Sequence, residues 1–227
     1  MPTSLRREYD AALLELDTLL ARMGHAAGAA IDNALTALRT HDLELARSVI
    51  ARDNEIDAAE HEIEHRCLTL FLRQQPVAGD LRKVSTALKM VTDIERIADQ
   101  ASDIAEIVLH LDADRAIAVG HVMQDLQAMG AVSLAMVKQA VGAYVQVDLP
   151  AAAQVIARDD EVDACFARLA AEIVQAIAAD PTGAETALDL FMIAKYLERL
   201  ADHAVNVAEW VEYSITGVRS KDGVTPE

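Results

Sequence analysis

The 227-residue sequence is poor in aromatic residues and in proline, and both shortages limit the folds that it can form. Phe, Trp and Tyr make up 4 % of the chain, whereas hydrophobic residues as a whole make up 52 %. Only five prolines interrupt long stretches of Ala, Leu, Ile, Glu and Asp. The apolar share is enough to form a hydrophobic core, so the chain is not a disordered acidic segment. The composition favours close-packed helices.

Positive charge is also scarce. The chain has 20 Lys and Arg residues against 37 Asp and Glu residues, and its net charge is −17. Nucleic-acid recognition needs a surplus of Lys and Arg on the binding face, so the charge argues against a general nucleic-acid binder. Anionic membranes repel such a surface for the same reason. We therefore expect basic protein partners or bound cations.

Cysteines and long apolar runs are few. Cys67 and Cys165 are the only cysteines and show no CxxC spacing, which favours reduced thiols over a disulfide or a zinc site. Residues 1–10 lack the apolar core of a signal peptide, and no later run reaches the ~18–20 apolar residues of a spanning helix. We predict a cytoplasmic protein that meets the membrane only through partners.

An internal repeat organises the chain. VIARDNEIDAA (49–59) and VIARDDEVDAC (155–165) are identical at eight of eleven positions. ERIADQASDIAE (95–106) and ERLADHAVNVAE (198–209) repeat a second phrase. Two tandem copies, residues 1–112 and 113–219, account for these matches, and residues 220–227 are predicted to be a frayed tail.

Helical periodicity divides each copy into three helices. In the first copy they cover about 5–38, 43–73 and 80–111, with Asp42 and Asp80 as predicted N-caps and Pro76 in a turn. The second copy repeats them at about 126–144, 150–179 and 183–215. Gly24 and Gly130 occupy equivalent positions and are predicted to be close-packing points where helices cross. The predicted fold is all-α, with two tandem antiparallel three-helix bundles related by a pseudo-twofold axis.

Antiparallel packing predicts which acidic residues meet. Asp57 and Glu95 each lie 19 residues from Pro76, and Asp53 and Asp99 each lie 23 residues from it. Residues equally far from a turn face each other, so these four carboxylates are expected at one level of the first bundle.

The second bundle has matching acids around Pro181. Asp163 and Glu198 lie 18 and 17 residues from it, and Asp159 and Asp202 lie 22 and 21 residues from it. Carboxylates about 4 Å apart repel by roughly 4 kcal/mol at an effective dielectric near 20, so each quartet must protonate, splay apart or bind cations. Ligand sets made only of oxygen select hard ions such as Mg²⁺, Ca²⁺, Mn²⁺ or iron.

Two other interpretations compete with metal binding. The acidic files can be solvated helix faces balanced by Arg96 and Arg199, which are expected to pair with acids of the facing helix. Glu62 and His65 imitate half of a di-iron motif, but the second copy does not repeat them, so an enzyme is not predicted.

The motifs named above, together with RQQPVAGDLRKV (73–84) and VEYSITG (211–217), resemble those of the PhoU family of phosphate transport regulators. The resemblance covers residues 5–217. It implies a homodimer or higher homo-oligomer that inhibits phosphate uptake and phosphate-starvation signalling. It also implies two partners, the ATPase subunit of the phosphate ABC transporter and a sensor histidine kinase.

Some members of that family bind multinuclear iron or zinc clusters through E/DxxxD motifs, and manganese or magnesium remain alternatives from the oxygen ligands. The resemblance assigns the motif to four pairs of residues. Two single residues continue the same rows of side chains, each four positions further along its helix. These are Asp53 and Asp57, Glu95 and Asp99, Asp159 and Asp163, Glu198 and Asp202, and then Asp103 and Asn206.

The two copies differ at the edge of this acidic face. Glu60 and Glu64 extend it in the first copy, but Phe166 and Ala170 stand at the equivalent places in the second. The second site is therefore expected to hold fewer ions or to bind them more weakly. A metal-storage bundle and a plain oligomerising scaffold are the alternative functions.

Overall fold

The computed structural model describes residues 3–74, 76–118 and 120–219. The first copy forms α1 (Thr3–Thr40), α2 (Leu43–Gln74) and α3 (Ala78–Val108). The second copy forms α4 (Ala113–Ala118), α5 (Gly120–Gln146), α6 (Leu149–Ile156), α7 (Asp159–Ala179) and α8 (Ala184–Thr216), with a 3-10 turn at Pro181–Gly183. The described residues contain no strand, and the all-α prediction is confirmed. The predicted tail, 220–227, lies outside the described residues.

The turn between α1 and α2 and the turn between α5 and α6 have the same cap. The backbone N–H of Leu45 donates to Asp42 Oδ1 at 2.9 Å, which confirms Asp42 as an N-cap. Asp148, its equivalent, accepts from the N–H of Ala151 at 3.0 Å. Each cap satisfies one of the backbone donors that a helix start leaves without a partner.

The predicted cap at Asp80 is wrong. Helix α3 begins at Ala78, and Val77 occupies the N-cap position without a side-chain hydrogen bond. Asp80 lies in the first turn of α3, where a carboxylate is favoured by the helix dipole, and it accepts from Arg6 Nη1 at 3.3 Å. This contact links the start of α3 to α1.

The second copy differs from the prediction at two places. The helix predicted over 150–179 is interrupted at Ala157 and Arg158 and forms α6 and α7. Asp160, which replaces Asn54 of the first copy, adds an acid to the first turn of α7, where the helix dipole favours negative charge. The helix predicted from 126 instead begins at Gly120, and α4 precedes it.

Helices of each copy pack on one another, and two contacts join the copies. The most extensive helix pairing runs between α3 and α8, and a second joins α1 to α5. The buried apolar residues of both copies form one continuous core. Gly24 and Gly130 lie at the α1–α5 crossing, as predicted, and Lys138 Nζ lies 3.2 Å from Asp32 Oδ2 beside it.

Helix α5 is more apolar than the sequence analysis recognised. Residues His121–Gln146 are long and apolar enough to cross a membrane by composition alone. In the structure this helix packs against α1, α6, α7 and α8, and Leu126, Met129 and Met136 are fully buried in the core. Its apolar character is that of a core helix.

Candidate metal centres

The hairpin of α2 and α3 brings three predicted ligands together in the first copy. Asp53 and Asp57 lie on α2 and Asp99 lies on α3, and each offers a carboxylate oxygen within 4.8 Å of the other two. All three side chains are half-buried. The prediction from equal distances to the turn is confirmed for the position of these residues; metal binding stays a prediction.

Burial and mutual repulsion raise the pKa values of carboxyl groups in this cluster. Burial raises the pKa of Asp53, and the charges of Asp57 and Asp99 raise it further. A hydrogen bond from the Ser102 hydroxyl acts in the opposite direction. Burial also raises the pKa of Asp103, with further contributions from Glu106 and Asp99. A bound cation would relieve this repulsion.

Glu95, the fourth acid predicted at this level, is not one of the three mutually close ligands, but it lies near them and has the largest pKa shift in this region. Burial raises its pKa from 4.5 to about 7, the charge of Asp99 adds to the rise, and Arg96 opposes it. Its side chain is 13 % exposed, and Oε2 accepts no hydrogen bond, although Arg96 Nε lies 3.3 Å away. Glu60 lies near enough to raise the pKa of Glu95 as well. This carboxylate is buried with little compensation.

Arg96 lies close enough to Glu60 of the facing helix α2 to lower the pKa of that carboxyl, as predicted, but its hydrogen bond is to its own helix. Arg96 Nη1 donates to Asp99 Oδ2 at 2.9 Å, and both residues lie on α3. Arg199, on α8, lies close enough to Asp103 of the facing helix α3 to lower its pKa. The two copies thus use equivalent arginines differently.

The hairpin of α7 and α8 forms the second cluster. Asp163, Glu198 and Asp202 each offer an oxygen within 4.8 Å of the others, and Asp163 and Asp202 are exposed. Although Asp202 is exposed as a residue, loss of water around its carboxyl group is the first cause that raises its pKa, followed by repulsion from Glu198, Asp159 and Asp163. Asp159 therefore lies near the cluster, although it is not one of the three mutually close ligands.

Lys195 distinguishes the second cluster from the first, and the sequence analysis missed it. Its Nζ lies 2.7 and 2.6 Å from the two carboxylate oxygens of Glu198 and 5.2 Å from the ring centre of Phe166. The spacing of three residues between Lys195 and Glu198 was a signal available in the sequence. The first copy has Thr92 at the equivalent place, so only the second cluster contains an internal lysine.

Asn206 lies away from the second cluster. Its Nδ2 donates to Asp93 Oδ1 at 3.1 Å, and His203 Nδ1 lies 3.0 Å from the same oxygen. Asp93 is on α3, so these contacts join the two copies. The structure therefore gives Asn206 a partner at the α3–α8 contact.

The chemistry of the first cluster fits a divalent cation. Its donors are carboxylate oxygens, which hard ions prefer, and the buried Oε2 of Glu95 has no hydrogen-bond donor. A cavity of about 420 Å³ between α1 and α2 reaches Asp53 and Ser102, so the cluster is accessible. These oxygen ligands suit magnesium, manganese and iron. Zinc is less suited, since neither group contains a His or Cys ligand.

The fold and both clusters define a class of protein: two three-helix repeats joined along α3 and α8, with a carboxylate cluster on the last hairpin of each. The PhoU domain model matches this chain twice, at residues 20–108 and 126–211. The chain therefore belongs to the PhoU family.

Curated relatives match nearly the whole chain. A protein of Clostridium acetobutylicum, named phosphate-specific transport system accessory protein PhoU homolog, is 35 % identical over 93 % of this chain and 96 % of its own length. A protein of the same name from Caulobacter vibrioides is 32 % identical over 93 % of this chain and 91 % of its own.

Solved structures share the fold. PhoU from Pseudomonas aeruginosa superposes with a TM-score of 0.82 at 30 % identity, over 92 % of this chain and all of that one. The phosphate transport system regulatory protein PhoU from Streptococcus pneumoniae gives a TM-score of 0.83 at 27 % identity, over 93 % and 98 % of the two chains.

Proposed function

We propose that this protein is an accessory regulator of a phosphate transport system that restrains phosphate uptake and phosphate-starvation signalling. The observation that carries the proposal is the similarity to proteins named as phosphate transport accessory proteins, over more than 90 % of both chains. These names describe accessory and regulatory proteins, which supports a role without catalysis. We propose that it acts in the cytoplasm.

The protein acts as an adaptor in this proposal. Its partners are the ATPase subunit of the phosphate ABC transporter and the sensor histidine kinase of the phosphate two-component system. The net charge of −17 supports docking on basic faces of these partners, because opposite charges speed association and select partners. A homodimer or higher homo-oligomer is the proposed working form.

The two carboxylate clusters bind metal ions in this proposal. Cations would neutralise acids that repel each other within 4.8 Å, and would hold α2 against α3 and α7 against α8. The rigid helical body would then present one fixed surface to its partners.

A gene deletion tests the regulatory role. In rich phosphate, the deletion strain should show raised expression of a phosphate-starvation reporter, and the wild-type gene should restore repression. An unchanged reporter would contradict the proposal. Pull-downs of the purified protein with the ATPase and with the kinase then test the adaptor role. Failure to bind either partner would contradict that role.

Elemental analysis tests the metal sites separately. The wild-type protein and the D99A/D202A variant are purified without chelator or affinity-tag metal. The wild type should retain stoichiometric metal and the variant should lose it. Absence of metal from both would leave the clusters as charged docking surfaces.

A further inference from the structure

We propose that a second cavity, which we call the α1–α5 cavity, binds a small amphipathic anion, meaning a compound with an apolar body and one anionic group. The cavity has a volume of about 480 Å³ and is lined by residues of α1, α3, α5 and α8 together with Val147. This volume lies in the range of small-molecule sites. None of the carboxylates of the two clusters lines it, although Arg22 also lines the 420 Å³ cavity that reaches Asp53, and the proposal does not depend on metal binding.

The charges around this cavity are unusual for so acidic a chain. Arg22, His25 and Lys83 line it, and none of the three forms an ion pair within the part of the chain that the structure describes. The one carboxylate in the lining, Asp17, accepts a hydrogen bond from the Tyr144 hydroxyl at 2.5 Å. The cavity therefore offers more positive charge than its own acid neutralises, which suits an anionic group.

A polar atom without a partner lies in the wall of the cavity. The side chain of Thr86 is 0 % exposed, and its Oγ1 has no hydrogen-bond partner among the described residues. Buried hydroxyl groups nearly always have a partner, because an unpaired one costs about 1–3 kcal/mol. Thr86 lines the cavity but its Oγ1 has no exposed surface, so a ligand would supply the missing hydrogen bond only after the side chains that cover this atom move aside.

The mouth of the cavity is apolar and includes a strained residue. Leu14, Val145 and Val147 line it and are 68, 52 and 67 % exposed. Val147 has a φ of 55°, a left-handed conformation that is rare for a β-branched side chain. Its equivalent in the first copy, His41, has a φ of 51° at the same kind of turn, so the turn requires the conformation but not a valine. In this proposal the exposed Val147 side chain contacts the apolar part of the ligand, which accounts for an apolar residue at this strained position.

Fluorescence titration of the purified 227-residue chain with 8-anilinonaphthalene-1-sulfonate tests the proposal, since this probe combines an aromatic body with an anionic group. We expect saturable binding of one probe per chain. N-phenyl-1-naphthylamine, the neutral analogue, should bind about tenfold more weakly, equivalent to one charge-assisted contact. Inorganic phosphate should not displace the probe at equal concentration. Equal binding of the neutral analogue, or displacement by phosphate alone, would overturn the proposal.

Charge variants locate the site. R22Q/K83Q should weaken probe binding about tenfold or more. R39Q/R73Q removes two exposed arginines outside the cavity that form no ion pair with the residues the structure describes, and it should bind as the wild type does. Equal loss in both variants would mean general electrostatic attraction and would contradict the proposed site.

Two further variants separate binding from folding. V147G should weaken probe binding while raising Tm by about 2–4 °C, because glycine adopts the left-handed turn without strain. H41G relieves the same strain in the first copy and should leave binding unchanged. T86V keeps the shape of the side chain and removes its hydroxyl, so binding should weaken without loss of stability. Unchanged binding in both V147G and T86V would refute the assignment.

Discussion

Gly24 on α1 lies directly against Val141 on α5: a Cβ added to Gly24 would be 2.7 Å from Val141 Cγ2. The equivalent contact has the roles exchanged, since a Cβ on Gly130 of α5 would be 2.6 Å from Leu35 Cδ2 of α1. In each copy, therefore, the glycine packs against a branched side chain of the other copy. The pseudo-twofold relation of the sequence is built into this crossing.

Replacing Gly24 by alanine should destabilise the protein by about 1–3 kcal/mol, because the added methyl group overpacks the α1–α5 crossing. Gly28 is a matched control on the same helix, since a Cβ there would meet only Lys138 Cγ, at 3.8 Å. G28A should be neutral or stabilising by about 0.5–1 kcal/mol from helix propensity. Urea unfolding measures both changes. Equal effects would contradict close packing at Gly24.

The first cluster should bind divalent cations more tightly than the second, because Lys195 already neutralises Glu198. Calorimetric titration of the metal-free protein with Mn²⁺ measures this difference. D53N/D57N should remove the tighter Mn²⁺-binding phase of the titration, and D163N/D202N should remove the weaker Mn²⁺-binding phase.

Lys195 itself gives the converse variant. K195M should strengthen the weaker phase by about tenfold, equivalent to about 1.4 kcal/mol, since Glu198 becomes free for the cation. Weaker binding in K195M would mean that Lys195 organises the second cluster instead of competing with the ion.

The metal-free protein should lose stability as the pH rises between about 4.5 and 7. Because the pKa of Glu95 is raised from 4.5 to about 7, the folded state keeps a proton that the unfolded chain releases in this window. The unfolded state then binds fewer protons, so the free energy of unfolding falls with increasing pH. Urea midpoints at pH 5, 6, 7 and 8 in the presence of EDTA measure this dependence.

E95Q is the matched variant for that measurement, since it keeps the size of the side chain and removes its titration. The pH dependence should become shallower in E95Q, although Asp53, Asp103 and Asp202, whose pKa values are also raised, should retain part of it. An identical slope in both proteins would refute the role of Glu95.

Cys67 should resist alkylation in the folded protein, whereas Cys165 should react. The Cys67 side chain is 0 % exposed and burial raises its pKa to about 12, so its thiolate form is scarce. Cys165 is half-buried. Mass spectrometry after iodoacetamide treatment at pH 8 should find one label, and C165S should show none until urea is added. Rapid labelling of C165S would contradict the burial of Cys67.

Several parts of the candidate sites were predictable because they depend on helical spacing alone. Residues four apart on one helix share a face, and an antiparallel hairpin places residues equally far from its turn opposite each other. This reasoning placed Asp53 and Asp57 beside Asp99, and Asp163 beside Glu198 and Asp202. It could not place Asn206, because rotation of α8 toward α3 of the other copy depends on packing between the copies.

Local spacing and repetition were enough to predict the helical class, the doubling, the Asp42 cap, the glycine crossing and the levels at which acids meet. The remaining features depend on packing between distant parts of the chain. The packing of α3 on α8 sets the partners of Asp93 and Asn206, and residues of four helices line the α1–α5 cavity. Residues of these contacts are far apart in the chain, and only the packed core brings them together.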